Sequence, residues 1–139
     1  MANAKVDTGH GATITLSTSA LAFNWTGMDL GEESIPDVDR SHLATADYRE
    51  YMPGDLKEPG LITIPFQWDS DAAQVAEGVP ETITVTFPLA SGGSTAATFA
   101  GTGYINKVTR PNLQTDTIQN GEITIKLDGL TGPVYTAAT

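Results

Sequence analysis

The chain has 139 residues, with 17 acidic against 7 basic side chains, a formal net charge of −10 and no cysteine. One ordinary domain of this length folds without a staple, and the lack of Cys excludes disulfides and thiolate metal sites. So acidic a chain does not gain affinity for duplex DNA by neutralising phosphates. Residues 1–20 carry no signal-peptide pattern, and no apolar run approaches the roughly 20 residues of a membrane span. The expectation is a single domain over residues 1–139, made in a cytoplasm, with no membrane segment.

Two-residue alternation dominates the pattern along the chain, the mark of half-buried strands. Residues 12–17 set Ile14 and Leu16 on one face and Thr13 and Thr15 on the other. Residues 21–30 form a less regular strand with Phe23 and Trp25. From 39 to 60 the alternation stops, in a segment too long for a structureless loop of a compact domain. This arm nevertheless contains Leu43, Tyr48, Tyr51, Met52 and Leu56, which are costly to leave in water.

Residues 61–68 resume the alternation with Ile62, Ile64, Phe66 and Trp68 on one face. Pro65 removes a ladder donor there, which places it at an edge or bulge, or in a strand only partly paired within the subunit. A short helix is expected at 70–77, capped by Asp69 or Ser70 and stopped by Gly78 and Pro80. Residues 81–89 turn Ile83, Val85, Phe87 and Leu89 inward and Thr82, Thr84 and Thr86 outward. Ser91-Gly92-Gly93-Ser94 fits a hairpin loop into a strand at 95–108, which Gly101 and Gly103 interrupt. Asn120-Gly121 reads as a tight turn, 122–128 as a strand with Ile123, Ile125 and Leu127 inward, and Asp128-Gly129 as its end. The fold class is mainly β: an antiparallel β-sandwich or rolled sheet, with one short flanking helix and a long inter-strand arm.

Catalytic constellations are lacking. His10 and His42 are isolated and give no metal-binding spacing. Asp69-Ser70-Asp71 with Glu77 lacks the glycine and ligand periodicity of a calcium loop and reads as a helix cap. No Gly-x-Ser-x-Gly elbow and no phosphate-binding Gly-rich loop occur. The expectation is a non-enzyme with no cofactor and no metal. Nine of the 17 acids lie between Asp29 and Glu58, so one part of the molecule carries the field.

The order of signals from Ile35 to Asp69 carries a resemblance. Asp37-Val38-Asp39 and Leu43 precede Tyr48-Arg49-Glu50-Tyr51-Met52-Pro53-Gly54, and Glu58-Pro59-Gly60 then leads into an alternating strand. This resembles the tail tube proteins of long, non-contractile-tailed bacteriophages and gene-transfer particles. The resemblance implies a homo-oligomer of six-fold rings stacked head to tail into a hollow tube, in a virion tail assembled in the bacterial host cytoplasm. It implies other tail proteins as partners, such as tape measure and terminator, and DNA passing through the lumen without specific binding. Leu43, Tyr48, Arg49, Tyr51, Met52, Pro53 and Leu56 of the arm would meet neighbouring subunits. Asp29, Glu32, Glu33 and Asp37 lie on the segment that the family places beside an electronegative lumen. Glu122, alternating away from Ile123 and Ile125, is a further candidate there. The same fold serves contractile-tail and secretion-system tubes and tail terminators. From another class, a β-sandwich carbohydrate-binding or adhesin module also fits the strand pattern.

Overall fold

The computed structural model describes residues 9–17, 24–69, 77–89 and 93–139. Among them run β1 (Thr13–Leu16), β2 (Asn24–Trp25), β3 (Asp37–Asp39), β4 (Tyr51–Pro53) and β5 (Leu61–Gln67). After these come β6 (Glu81–Thr86), β7 (Thr98–Thr109), β8 (Asn120–Leu127) and β9 (Val134–Thr136). No helix occurs among the described residues, and the helix expected at 70–77 falls almost wholly outside them.

The main sheet is seven-stranded, in the order β1-β6-β7-β8-β5-β2 with β9 added against β7. Every pairing in it is antiparallel. Alternation decides which face is buried. Ile14, Leu16, Ile62, Ile64, Phe66, Ile83, Val85, Ile105, Ile123, Ile125 and Leu127 form one core cluster. Ile62, Ile125 and Ile105 stand in one cross-strand row, each at most 1% exposed. The buried side chains of β1, β6, β7, β8 and β5 thus share one apolar face.

β7 is the longest strand and joins the two halves of the sheet. Its first half pairs with β6, while β9 and then β8 succeed one another along its other edge. Gly103 sits where a Cβ would come 2.4 Å from the Lys126 carbonyl, so only glycine lets β8 approach there. A bulge between Ile105 and Lys107 keeps Val108 facing Ile123 and turns Lys107 to the polar face. Asp128 closes the next turn: its Oδ1 accepts from the Thr102 hydroxyl at 2.6 Å and from Leu130 N–H at 2.9 Å.

Two sequence expectations change on the structure, and the partly paired reading of the Pro65 strand holds. Asn120-Gly121 is not a turn but the start of β8, and a Cβ on Gly121 would lie 2.9 Å from the Phe66 and Trp68 rings. The glycine serves ring packing across the sheet. Leu89 lies past the end of β6 and is 51% exposed, while Phe87 stays partly buried on the core. Pro65 lies in β5, between β8 and the β2 side of the sheet. Thr63 exchanges both backbone bonds with Asp29, so two residues on the absent Pro65 donor faces the same outer ribbon, where pairing is sparse.

Candidate functional site

The segment between β2 and β5 is not a loop but a long antiparallel ribbon that leaves the sheet. Its rungs run from Trp25 opposite Phe66, through Asp29 opposite Thr63 and Ser34 opposite Glu58, to β3 against β4. Arg40 N–H donating to the Glu50 carbonyl at 2.9 Å closes the ladder at the tip. Trp25, Met28 and Leu30 still pack on the core, but no described side chain from 31 to 60 belongs to it. β3 and β4 lie against each other and against no other strand among the described residues. Beyond its root, where Leu127 N–H donates to the Gly60 carbonyl at 3.3 Å, the ribbon is therefore an arm whose strands pair only with each other among the described residues.

At the step from body to arm, two glycines stand diagonally across the ribbon, Gly31 opposite Leu61 and Gly60 opposite Glu32. Gly31 has φ +73° and Gly60 φ +89°, a left-handed backbone that L side chains rarely adopt. A Cβ on Gly31 would meet the Leu61 carbonyl oxygen, and one on Gly60 the Glu32 carbonyl oxygen at 2.2 Å. Glycine alone allows both the dihedral and the approach of the two strands. Past this joint, local polar bonds hold the arm in shape. Arg49 pairs with Asp39 at 3.2 Å, Arg40 with Glu50 at 3.6 Å, and Lys57 with Glu33 at 3.5 Å. The Ser41 hydroxyl accepts from Glu50 N–H at 2.7 Å, and the Asp39 carboxylate accepts from Ser41 N–H at 2.9 Å. His42 Nδ1 accepts from Ala44 N–H at 3.2 Å, so this histidine belongs to the tip turn.

The Ser41 N–H and hydroxyl, with Arg49 behind them, hold the Asp39 carboxyl below its ordinary value of 3.8. A depressed carboxylate pKa supports the tip fully above the unfolded value, and that support is lost as pH falls through the folded one. Acidification from pH 5 through 3.8 and below should therefore loosen the tip turn before it unfolds the body. The Ser41 and Glu50 amide resonances should shift in that window while those of Ile64 and Ile125 hold. Simultaneous change at all four would remove this role of Asp39.

The arm residues expected from sequence are brought together here. Leu43 and Tyr48 stand at the tip, Tyr51, Met52 and Pro53 form β4, and Leu56 follows. Leu43, Tyr48 and Leu56 are at least 80% exposed, and Tyr51 and Met52 are half exposed. Val38 and Ile35, which the sequence reading passed over, add to the same surface. An open concavity at the tip is lined by Asp39, His42, Leu43, Tyr48 and Arg49, among others. Among the acids, Asp29 caps Gly31 N–H at 2.9 Å, Glu33 pairs with Lys57, and Asp37 lies on β3 opposite Pro53. Glu32 belongs to the glycine joint through its carbonyl. These four share the first strand of the ribbon, whereas Glu122 lies on β8, on the far side of β5. No cluster of three or more His, Cys, Asp or Glu able to hold a metal occurs among the described residues. No helix of theirs is long and apolar enough to cross a membrane.

The fold has a solved counterpart. It superposes on the sheath/tube terminator of an extracellular contractile injection system, PVC, determined by cryo-electron microscopy in its extended state. The TM-score is 0.72, over 98% of this chain and 100% of that one, at 14% sequence identity. At that identity the likeness is one of fold. No protein-family model matches the sequence, and no curated protein does.

Proposed function

We propose that this chain is a non-catalytic structural subunit of a phage-tail-like particle, joined to its neighbours through the arm. One observation carries the reading: β3 and β4 of the arm touch no described strand of the body, and the arm displays large apolar side chains to water. Exposed patches of that kind mark interaction surfaces. Each such side chain contributes roughly 1.5–3 kcal/mol when a partner buries it fully. A fold shared with a tail terminator supports the setting.

In the finer form of the proposal, six copies close a ring and rings stack head to tail into a hollow tube that passes DNA. Asp29, Glu32, Glu33, Asp37 and Glu122 would then line a lumen that repels phosphate. A second form, in which the chain ends a tube as a single ring, is favoured by the terminator likeness.

Electron microscopy of the purified chain, with Tyr48→Ser/Leu56→Ser beside it, tests both forms. Long tubes from the native chain support the tube subunit, and discrete rings support the terminator. The double variant should stay folded and monomeric, because both side chains are at least 80% exposed. A native chain that remains monomeric at high concentration, or a variant that assembles normally, would overturn the proposal.

A further inference from the structure

Residues 129–139 run along the outside of the body and bury almost nothing. Pro133 is half-buried, and every other residue of this segment is exposed. None of them belongs to the core cluster or packs against it. β9, within the segment, pairs with β7 over Thr98–Ala100 and with no other described strand. β7 keeps its place without β9, because Thr98–Gly103 pairs along the opposite edge with β6.

The seat of the segment is nonetheless a fitted one. A Cβ on Gly101 would lie 3.1 Å from Pro133 Cα and 3.3 Å from the Thr131 carbonyl oxygen, so the bare glycine of β7 lets the segment close in. The centroid of the Tyr135 ring lies 5.7 Å from that of Phe87. Polar bonds fasten the two ends. At the far end, Ser94 N–H donates to the Thr139 main-chain oxygen at 2.9 Å, and Thr139 N–H donates to the Thr95 carbonyl at 3.2 Å. At the near end the bonds converge on one pair of side chains. The Asp128 carboxylate accepts from the Thr102 hydroxyl at 2.6 Å and from Leu130 N–H at 2.9 Å. The Thr102 hydroxyl oxygen in turn accepts from Thr131 N–H at 3.1 Å. The Thr102 hydroxyl, and after it Leu130 N–H, hold the Asp128 carboxyl below its ordinary value of 3.8, as bonds to an ionised acceptor do.

We infer that residues 129–139 are a strap that opens and closes as one unit on a folded body, with Thr102 and Asp128 as its catch. Small exposed units open at free energies far below that of global unfolding, and the segments that move in proteins are drawn from them. Here Gly101 and Phe87 make the closed state specific, while opening returns little apolar surface to water. With the strap open, the Thr98–Ala100 edge of β7 has lost its partner strand and Phe87 its ring contact. An uncovered edge is a template for pairing with another chain. The catch therefore sets how much of the time this edge is available.

Amide hydrogen exchange of the full chain, read by NMR, tests the strap. In the native chain the Ser94, Thr102 and Thr139 amides should exchange at least about a hundredfold faster than those of Ile64 and Ile125. Thr102→Val and Asp128→Ala each remove the catch. Each should speed exchange about tenfold at Ser94 as well as at Thr131, the effect of losing one bond to a charged group, although Ser94 lies at the far end. Thr102→Ser keeps the hydroxyl and should exchange as the native chain does. The Ser94 and Thr139 hydroxyl oxygens lie 3.4 Å apart, close enough for Ser94→Cys/Thr139→Cys to form a disulfide in a chain with no cysteine of its own. Once oxidised, that pair should slow exchange at Thr102 and Thr131 even in an Asp128→Ala background, and reduction should undo the slowing.

A rise confined to Leu130 and Thr131, with Ser94 and Thr139 unchanged, would reduce Thr102 and Asp128 to a local turn and overturn the strap. Equal rises at Ile64 and Ile125 would mean that the body unfolds with the segment, and no rise anywhere would mean that the pair holds nothing. Either result overturns the strap as well.

Discussion

Replacing Ile125 by Ala should destabilise the fold by about 2–5 kcal/mol, the cost of removing a large side chain from a packed core. Ile125 is fully buried, and it stands between Ile62 and Ile105 in a row that holds β5, β8 and β7 together. Truncation leaves a cavity that neighbours on a ladder cannot collapse into without breaking register. Domains are stable by only about 5–15 kcal/mol, so the loss is a large share of the whole. A fall in melting temperature of roughly 10 °C or more is expected. Ile125→Val should cost only about 0.5–1.5 kcal/mol. Leu43→Ala should cost nothing measurable, because Leu43 stands fully in solvent. Urea and thermal melts of the monomeric chain distinguish the three. A Leu43→Ala variant as unstable as Ile125→Ala would mean that the arm packs on the body after all.

The same contrast explains which parts of the fold can be read from sequence. Ile14, Leu16, Ile62, Ile64, Phe66, Ile83, Val85, Ile123, Ile125 and Leu127 alternate with threonines and other polar residues, and all are buried. A half-buried strand writes its face into every second residue. β3, β4 and β9 leave no such trace, since they are three residues long and exposed throughout. Asn120-Gly121 misleads because a local turn signal and a packing requirement both select glycine, and the Phe66 ring lies more than fifty residues away.

The arm itself was legible from its length and apolar content, though its root lies further back, in the ladder from Trp25 to Leu30. One feature of the site belongs to pairing and not to sequence: Gly31 and Gly60 look like ordinary turn glycines until the ribbon register sets Gly31 against Leu61 and Gly60 against Glu32.

Gly60→Ala should redirect the arm while leaving the body folded. Alanine at φ +89° pays the left-handed penalty of about 1–2 kcal/mol. Its methyl must also escape the Glu32 carbonyl oxygen 2.2 Å away, which only a parting of the two strands allows. The core ends just beyond, with Ile62 and Leu127 still sealed, so the strain relaxes outward along the ribbon. Gly31→Ala meets the Leu61 carbonyl and should act in the same way. Gly78→Ala isolates the dihedral penalty, because Gly78 has φ +77° with nothing within 4 Å. Gly27→Ala isolates an added methyl, which would sit 3.7 Å from Pro65 Cγ without a left-handed backbone. With no native cysteine, spin labels at Thr45→Cys and Thr82→Cys report the distance from arm tip to body. In Gly60→Ala and Gly31→Ala that distance distribution should move by several ångström or broaden, and association between copies should fail. In Gly78→Ala and Gly27→Ala both should match the native chain. If Gly60→Ala keeps the native distance and associates normally, the glycine pair does not aim the arm.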